Sequence, residues 1–152
     1  MAIKTGFVVN SSLSTILKSL KVSARSKQIV EEFKDIGGAG VFRKIEGEGM
    51  AIFEETFNTT VRAIKNSDNK AGDFIVTEGK FSGKSVDLVS AVNEKGFNIN
   101  KFIKSIDKHY VKDGVDYVNI DIRSLGKEAK ETVRKHINGQ SKANQARTII
   151  TE

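Results

Sequence analysis

No cysteine occurs among the 152 residues, which excludes disulfides and zinc–cysteine sites and leaves the chain suited to a reducing cytoplasm. Histidine is scarce too: His109 and His136 are the whole complement, too few for a histidine-rich zinc site. Proline and tryptophan are absent. Without proline, no prolyl isomerisation slows folding, as suits a domain that must unfold and refold. No uninterrupted apolar run approaches the length that spans a bilayer, and MAIKTGFVVNSS lacks the apolar stretch of a signal peptide. The sequence therefore reads as a soluble domain, long enough to bury a core without staples, alone or within a larger exported protein.

What is present in excess is positive charge. The net charge is +6 and the isoelectric point about 9.5, a balance that attracts nucleic acid, anionic membranes or acidic proteins. The charge is unevenly placed. Residues 95–112 carry five lysines against Asp107, and residues 124–147 carry six basic residues against Glu128 and Glu131. Residues 66–88 instead carry Asp68, Asp73, Glu78 and Asp87 against three lysines. Lys101, Lys104, Lys108 and Lys112 recur at helical spacing away from the apolar side, and Lys127, Lys130 and Arg134 form a second basic track. Cations so placed can grip phosphates, although a lysine stripe is also what an ordinary solvated helix face shows.

Hydrophobic periodicity divides the chain. Leu13, Ile16, Leu17 and Leu20 predict a helix capped at Ser11 or Ser12, and Ile29, Val30 and Phe33 a second over 26–36, stopped by Gly37-Gly38. Residues 37–49 read as a flexible connection, giving a helical segment (1–45) packed on or linked to a main domain (46–152). Phe53, Phe57, Val61 and Ile64 predict a helix over 50–65. Next come a loop at 66–72, a hairpin of strands 73–80 and 84–90, and a helix marked by Ile99, Phe102, Ile103 and Ile106. A strand at 116–123, a helix at 125–138 and a closing strand at 146–152 complete the order α-β-β-α-β-α-β. That order predicts the α/β class: a mixed sheet with flanking helices after a helical N-terminal segment.

Alternation along these strands sets Asp73 and Thr77, Ser85 and Asp87, and Arg123 on polar faces. Were the strands neighbours, these residues would share one face, either half-solvated or an active site. Close carboxylates such as Asp73 and Asp87 can hold a divalent metal such as Mg²⁺ or divide acid and base work. Lys84 or Arg123 can stabilise charge on phosphorus. Glu78-Gly79-Lys80 fits part of a PD-(D/E)xK nuclease pattern with Asp73 upstream, but the aspartate lies too close; Asp87 with Lys84, or Glu54 or Glu55, could substitute. GKFSGKS (79–85) lacks the glycine spacing of a phosphate loop. His109, after the lysine stripe, could be the general base of a metal-free ribonuclease, against the plainer reading of a surface histidine. His136 reads as structural.

The stretch GDFIVTEGKFSGKSVDLVS (72–90), followed by YVNIDIRSLGKEAKETVRKHINGQSKANQARTIIT (117–151), resembles the C-terminal nuclease toxin domains of contact-dependent growth-inhibition (CdiA-type) and related polymorphic toxins. The resemblance covers about the last half of the chain. It rests on a strand opening Gly-Asp, a Gly-Lys-Ser-x-Asp strand, a strand ending Asp-x-Arg, a helix and a closing isoleucine-rich strand. It departs at Val89-Ser90, where an aromatic or methionine is expected, and this leaves the target open. The resemblance implies a nuclease-like fold and an antibacterial toxin exported within a larger surface protein. Such a toxin cuts RNA, tRNA first, in the cytoplasm of a neighbouring bacterium. It also implies a cognate immunity protein, and admits a host translation factor as a further partner. The matching positions are Asp73, Thr77, Lys84, Ser85, Asp87 and Arg123. The rival readings are a metal-dependent DNase and a non-enzymatic basic binding module; for the latter, Tyr117 is the one candidate base-stacking aromatic on the sheet.

Overall fold

The computed structural model describes residues 7–9, 16–33, 43–92 and 94–152. Its elements are β1 (Phe7–Val9), α1 (Ile16–Phe33), α2 (Lys44–Phe57), β2 (Val61–Arg62), β3 (Phe74–Val76), β4 (Ser85–Ser90), α3 (Ile99–Tyr110), β5 (Tyr117–Asp121), α4 (Lys127–Asn138), α5 (Lys142–Ala146) and β6 (Thr148–Thr151). The six strands form one mixed sheet in the order β1-β6-β5-β4-β3-β2. Strands β4, β5, β6 and β1 run parallel, while β2 and β3 join as antiparallel neighbours.

The sheet is covered on both faces, so strand alternation sorts side chains between two cores rather than between core and water. Phe74, Val76, Val86 and Leu88 meet α1 and α2 through Ile29, Met50 and Phe53. Val89, Val118, Ile120 and Ile150 meet α3 and α4 through Phe102, Ile106, Val133 and Ile137. Helix α3 connects β4 to β5, and α4 lies between β5 and β6, each returning over the same face. Among the described residues, no helix is long and apolar enough to cross a membrane.

The mixed sheet with flanking helices expected from the sequence is present, with several local corrections. Where two N-terminal helices were expected, one helix of 18 residues runs from Ile16 to Phe33. Ser11, Ser12, Leu13 and the Gly37-Gly38 stop lie outside the described residues. The connection expected at 37–49 contains the first turns of α2, and α2 stops at Phe57 rather than near 65. Asn58 ends it in the left-handed conformation, φ 48°, and the β-branched Thr59, Thr60 and Val61 lead into a short strand. Helix α5 and strand β1 were not anticipated.

Gly47 accounts for the close meeting of α1 and α2. A Cβ there would stand 2.6 Å from Val30 Cγ2 and 2.9 Å from the Ser26 carbonyl oxygen. The helix carries a poor helix former because only hydrogen fits. Gly47→Ala should lower the free energy of unfolding by about 1–3 kcal/mol through overpacking, outweighing a propensity gain of about 1 kcal/mol. Urea denaturation tests this; an unchanged or higher midpoint would show that α1 yields freely.

Candidate active site

The antiparallel register sets Phe74 opposite Val86 and Ile75 opposite Ser85. One step further, Asp73 comes opposite Asp87, with the Asp73 N–H donating to the Val86 carbonyl at 2.8 Å. Gly72 makes this approach feasible. Its φ is +114°, and a Cβ would stand 2.8 Å from the Val86 carbonyl oxygen, so only glycine delivers Asp73 here without strain.

Helix α3 roofs the carboxylate pair. Ser105 and His109, four residues apart, turn to one side of the helix, and Lys112, two residues past its end at Tyr110, also reaches the pair. Asp87 is 2 % exposed. Lys112 Nζ lies 2.8 Å from its Oδ2, and His109 Nε2 lies 3.7 Å from the same oxygen. The ammonium is out of line for a hydrogen bond, so Oδ2 remains a buried acceptor with charge beside it but no aligned donor. His109 Nδ1 is 2.7 Å from the Ser105 carbonyl oxygen. That carbonyl can only accept, which assigns the proton to Nδ1 and leaves the Nε2 lone pair facing the cleft in the neutral ring. The cleft measures about 230 Å³ and is also lined by Arg43, Glu46 and Ser90.

Asp73 is the strained ionisable group. Burial, then the neighbouring Asp87 charge, pushes its carboxyl up to about 7, although the Leu88 N–H donates to its Oδ2 at 2.6 Å. Glu46 adds a smaller push in the same direction. Paired carboxylates with an orphaned buried oxygen suit a hard cation such as Mg²⁺, which needs only one or two such ligands. No group of three His, Cys, Asp or Glu side chains gathers as a metal cluster among the described residues.

The other candidates lie elsewhere, and the expectation of one shared polar face is corrected. Parallel pairing aligns Asp87 with Val118, so Asn119 and Asp121 fall on the opposite face, toward α2, with Arg123 just beyond the strand. Arg123 is held there by Asp121 at 2.8 Å, Glu48 at 3.4 Å and the Ile45 carbonyl at 3.2 Å. Ser85 shares the Asp87 face but is fully buried; its hydroxyl donates to the Gly114 carbonyl at 2.9 Å, and its N–H to Asp116 at 2.9 Å. Burial pushes the Asp116 carboxyl up, but the Ser85 amide and Lys70 outweigh it and hold it below the usual range. Thr77 is exposed and donates to the Thr60 carbonyl at 2.9 Å, stitching β3 to β2. Lys84 is exposed beyond the cleft.

Glu54 is committed to structure through Arg25 at 2.7 Å and the Val61 N–H at 2.9 Å. The Tyr117 ring packs against Phe81, with centroids 4.9 Å apart. His136 pairs with Asp107 at 2.7 Å, between α4 and α3. Lys101, Lys104 and Lys108 are exposed on α3 and Lys127 on α4; Lys130 is half-buried, and Arg134 is engaged by Glu131 and Glu152. Lys112 alone of the stripe reaches the carboxylates. The Ser105–His109 spacing on α3, with Lys112 just past its end, was the signal available in the sequence, but it needed α3 to be placed over β4.

The raised Asp73 carboxyl makes a stability prediction. Between about pH 4 and 7 the folded state keeps a proton that the unfolded state has lost, so this group's contribution to stability falls as pH rises through that window. Asp73→Asn keeps an acceptor for the Leu88 N–H and removes the repulsion. In urea titrations it should be more stable than the parent at pH 8, with the difference shrinking toward pH 4. A constant difference across that range would show that Asp73 titrates normally.

No curated protein matches the chain. Among solved structures, a CdiA-CT toxin from Burkholderia pseudomallei E479, in complex with its cognate CdiI immunity protein, shares the fold with a TM-score of 0.52 and 21 % identity. The match covers 66 % of this chain and 91 % of that one. Residues 44–151, from the start of α2 through the end of β6, match the family model of the CdiA C-terminal tRNase domain, and the chain belongs to that family.

Proposed function

We propose that this domain cleaves a phosphodiester bond of tRNA in the cleft between β4 and α3, with Asp73, Asp87, His109 and Lys112 as the reacting set. The observation that carries this reading is the pair of facing carboxylates under a histidine whose Nε2 is left open. His109 Nε2 accepts the proton of the attacking hydroxyl, a ribose 2′-OH or water, as its oxygen bonds to phosphorus. Lys112 swings from Asp87 to the phosphate and offsets the charge that builds on its non-bridging oxygens. Asp73, held near 7, retains a proton at neutral pH and passes it to the departing ribose oxygen as that P–O bond breaks. Asp87 keeps Asp73 protonated and, 3.7 Å from Nε2, favours the imidazolium once it forms.

Asp73 and Asp87 are also the residues that would hold a divalent cation such as Mg²⁺, which would neutralise phosphate charge. The structural relative is held in complex with its cognate immunity protein; an immunity protein that covered this cleft would silence the domain in the producing cell. Delivery within a larger surface protein would bring it to the tRNA of a neighbour.

Purified domain incubated with total tRNA should give discrete fragments. Asp87→Asn should reduce the rate a hundredfold or more, about 3 kcal/mol of barrier, with its fold intact by circular dichroism. His109→Ala and Lys112→Ala should each fall at least tenfold, about 1.4 kcal/mol, whereas Lys84→Ala and Thr77→Ala should stay near the parent. A folded Asp87→Asn domain that cuts at the parental rate would overturn the assignment. Cation binding has a separate readout. Mg²⁺ should raise the melting temperature of the parent but not of Asp87→Asn, and more at pH 8 than at pH 6, because a proton on Asp73 competes. No shift at either pH, with cleavage persisting in chelator, would assign the chemistry to the side chains alone.

A further inference from the structure

A second groove opens beside the cleft, where β4 ends and α3 begins. It encloses about 320 Å³ and is lined by Arg43, Lys95, Phe97 and Lys101, together with Ser90 and Phe102. Three of these residues, Arg43, Ser90 and Phe102, also line the carboxylate cleft, so the two spaces are continuous. Lys101, Ser105 and His109 stand four residues apart on one side of α3 and connect them. At 1.5 Å per residue, Lys101 lies about 12 Å along the helix from His109, the reach of a neighbouring nucleotide rather than of the reacting phosphate.

The chemistry of the lining is specific. Arg43, Lys95 and Lys101 oppose one carboxylate, Glu94. Arg43 is engaged with Glu46 at 3.2 Å, but Lys95 and Lys101 have no carboxylate partner among the described residues. Phe97 is half-buried. It rests against Phe102 with centroids 6.1 Å apart and rings tilted by 49°, and also lines the groove. An aromatic ring flanked by unpaired ammonium groups is what a base and its phosphate require together. The size is at the low end for small-ligand pockets, roughly 300–1,000 Å³.

We propose that this groove seats a nucleotide flanking the cleaved bond, with its base stacked on Phe97 and its phosphate held by Lys95 and Lys101. The inference rests on the tRNA-cleavage reading of the adjoining cleft. Stacking accepts any base, so the groove supplies affinity and register, not sequence choice.

The test compares the intact domain with Phe97→Leu, Phe97→Tyr and the pair Lys95→Ala/Lys101→Ala, using tRNA as the probe. Leucine keeps apolar packing against Phe102 and removes the stacking face, and melting curves confirm folding. Phe97→Leu should weaken binding about 5- to 100-fold, the range of base stacking on an aromatic ring, with the loss in KM, and Phe97→Tyr should restore it. Measured on an Asp87→Asn background, the double lysine variant should reduce the salt dependence of tRNA binding by about one to two in the log–log slope. A folded Phe97→Leu with parental KM, or an unchanged salt slope, overturns the groove while leaving the cleft reading intact if Asp87→Asn remains dead. A parental domain that neither binds nor cuts tRNA overturns both.

Discussion

Asp87 lies in the middle of a sheet covered on both faces, and a carboxylate there must either be compensated or lose its charge. A buried unpaired ion costs several kcal/mol even after relaxation. Its surroundings supply a cation from one direction only: Lys112, just past the end of α3, reaches down to it with the His109 imidazole alongside, while the flanking segment brings a second carboxylate instead of a partner. Asp73 therefore carries the unfavourable balance in its raised proton affinity. Removing Lys112 would not relax the site: Asp87 would stand against Asp73 with only the His109 imidazole nearby.

The opposite face of the same sheet resolves its charges differently. Asp121, 1 % exposed, meets Arg123 through two oxygens, and Arg123 continues to Glu48 and the Ile45 carbonyl. Glu54 is likewise closed by Arg25 and by the Val61 N–H. These guanidinium pairs are bidentate and geometrically fixed, which suits holding α2 against β5 and α1. The cleft uses an ammonium on a flexible stem and an imidazole, groups able to let go. The fold thus separates the charges that fasten its helices from those that the proposed reaction would use.

Much of this organisation was legible in the sequence, though not the part that depends on register. The alternation in 84–90 and 116–123 and the apolar stripe of 99–106 give β4, β5 and α3 directly, since period 2 and period 3.6 leave different marks. Gly72-Asp73 at the strand entrance is legible for the same local reason. Arg123 was set beside Asp87 because alternation assigns residues to two faces without saying which faces of two strands coincide; the Asp87–Val118 pairing decides it, and a slip of one residue would reverse it. Residues 44–49 read as a connection because Gly47 and Gly49 are poor helix formers. The contact of Gly47 with α1 that outweighs this preference is non-local. Lys112 belonged to a stripe of lysines alike in composition, and only its place past the end of α3, over the Asp87 carboxylate, separates it from Lys104 and Lys108.

A carboxylate pair is also a poor place to bring a phosphate. Two unit charges 4 Å apart repel by about 4 kcal/mol at an effective dielectric near 20, enough to exclude RNA were Asp73 and Asp87 both ionised and alone. Three features of this chain offset that repulsion. Asp73, its carboxyl pushed up to about 7, is only partly ionised near neutrality, so the pair presents fewer than two charges. Lys112 stands against the other carboxylate. The approaches carry Lys95 and Lys101 without carboxylate partners among the described residues. In the proposed site, attraction along the approach and tolerance at the centre would therefore be supplied by different residues. On this balance, raising the pH through 7 should weaken RNA binding at the centre as Asp73 loses its proton.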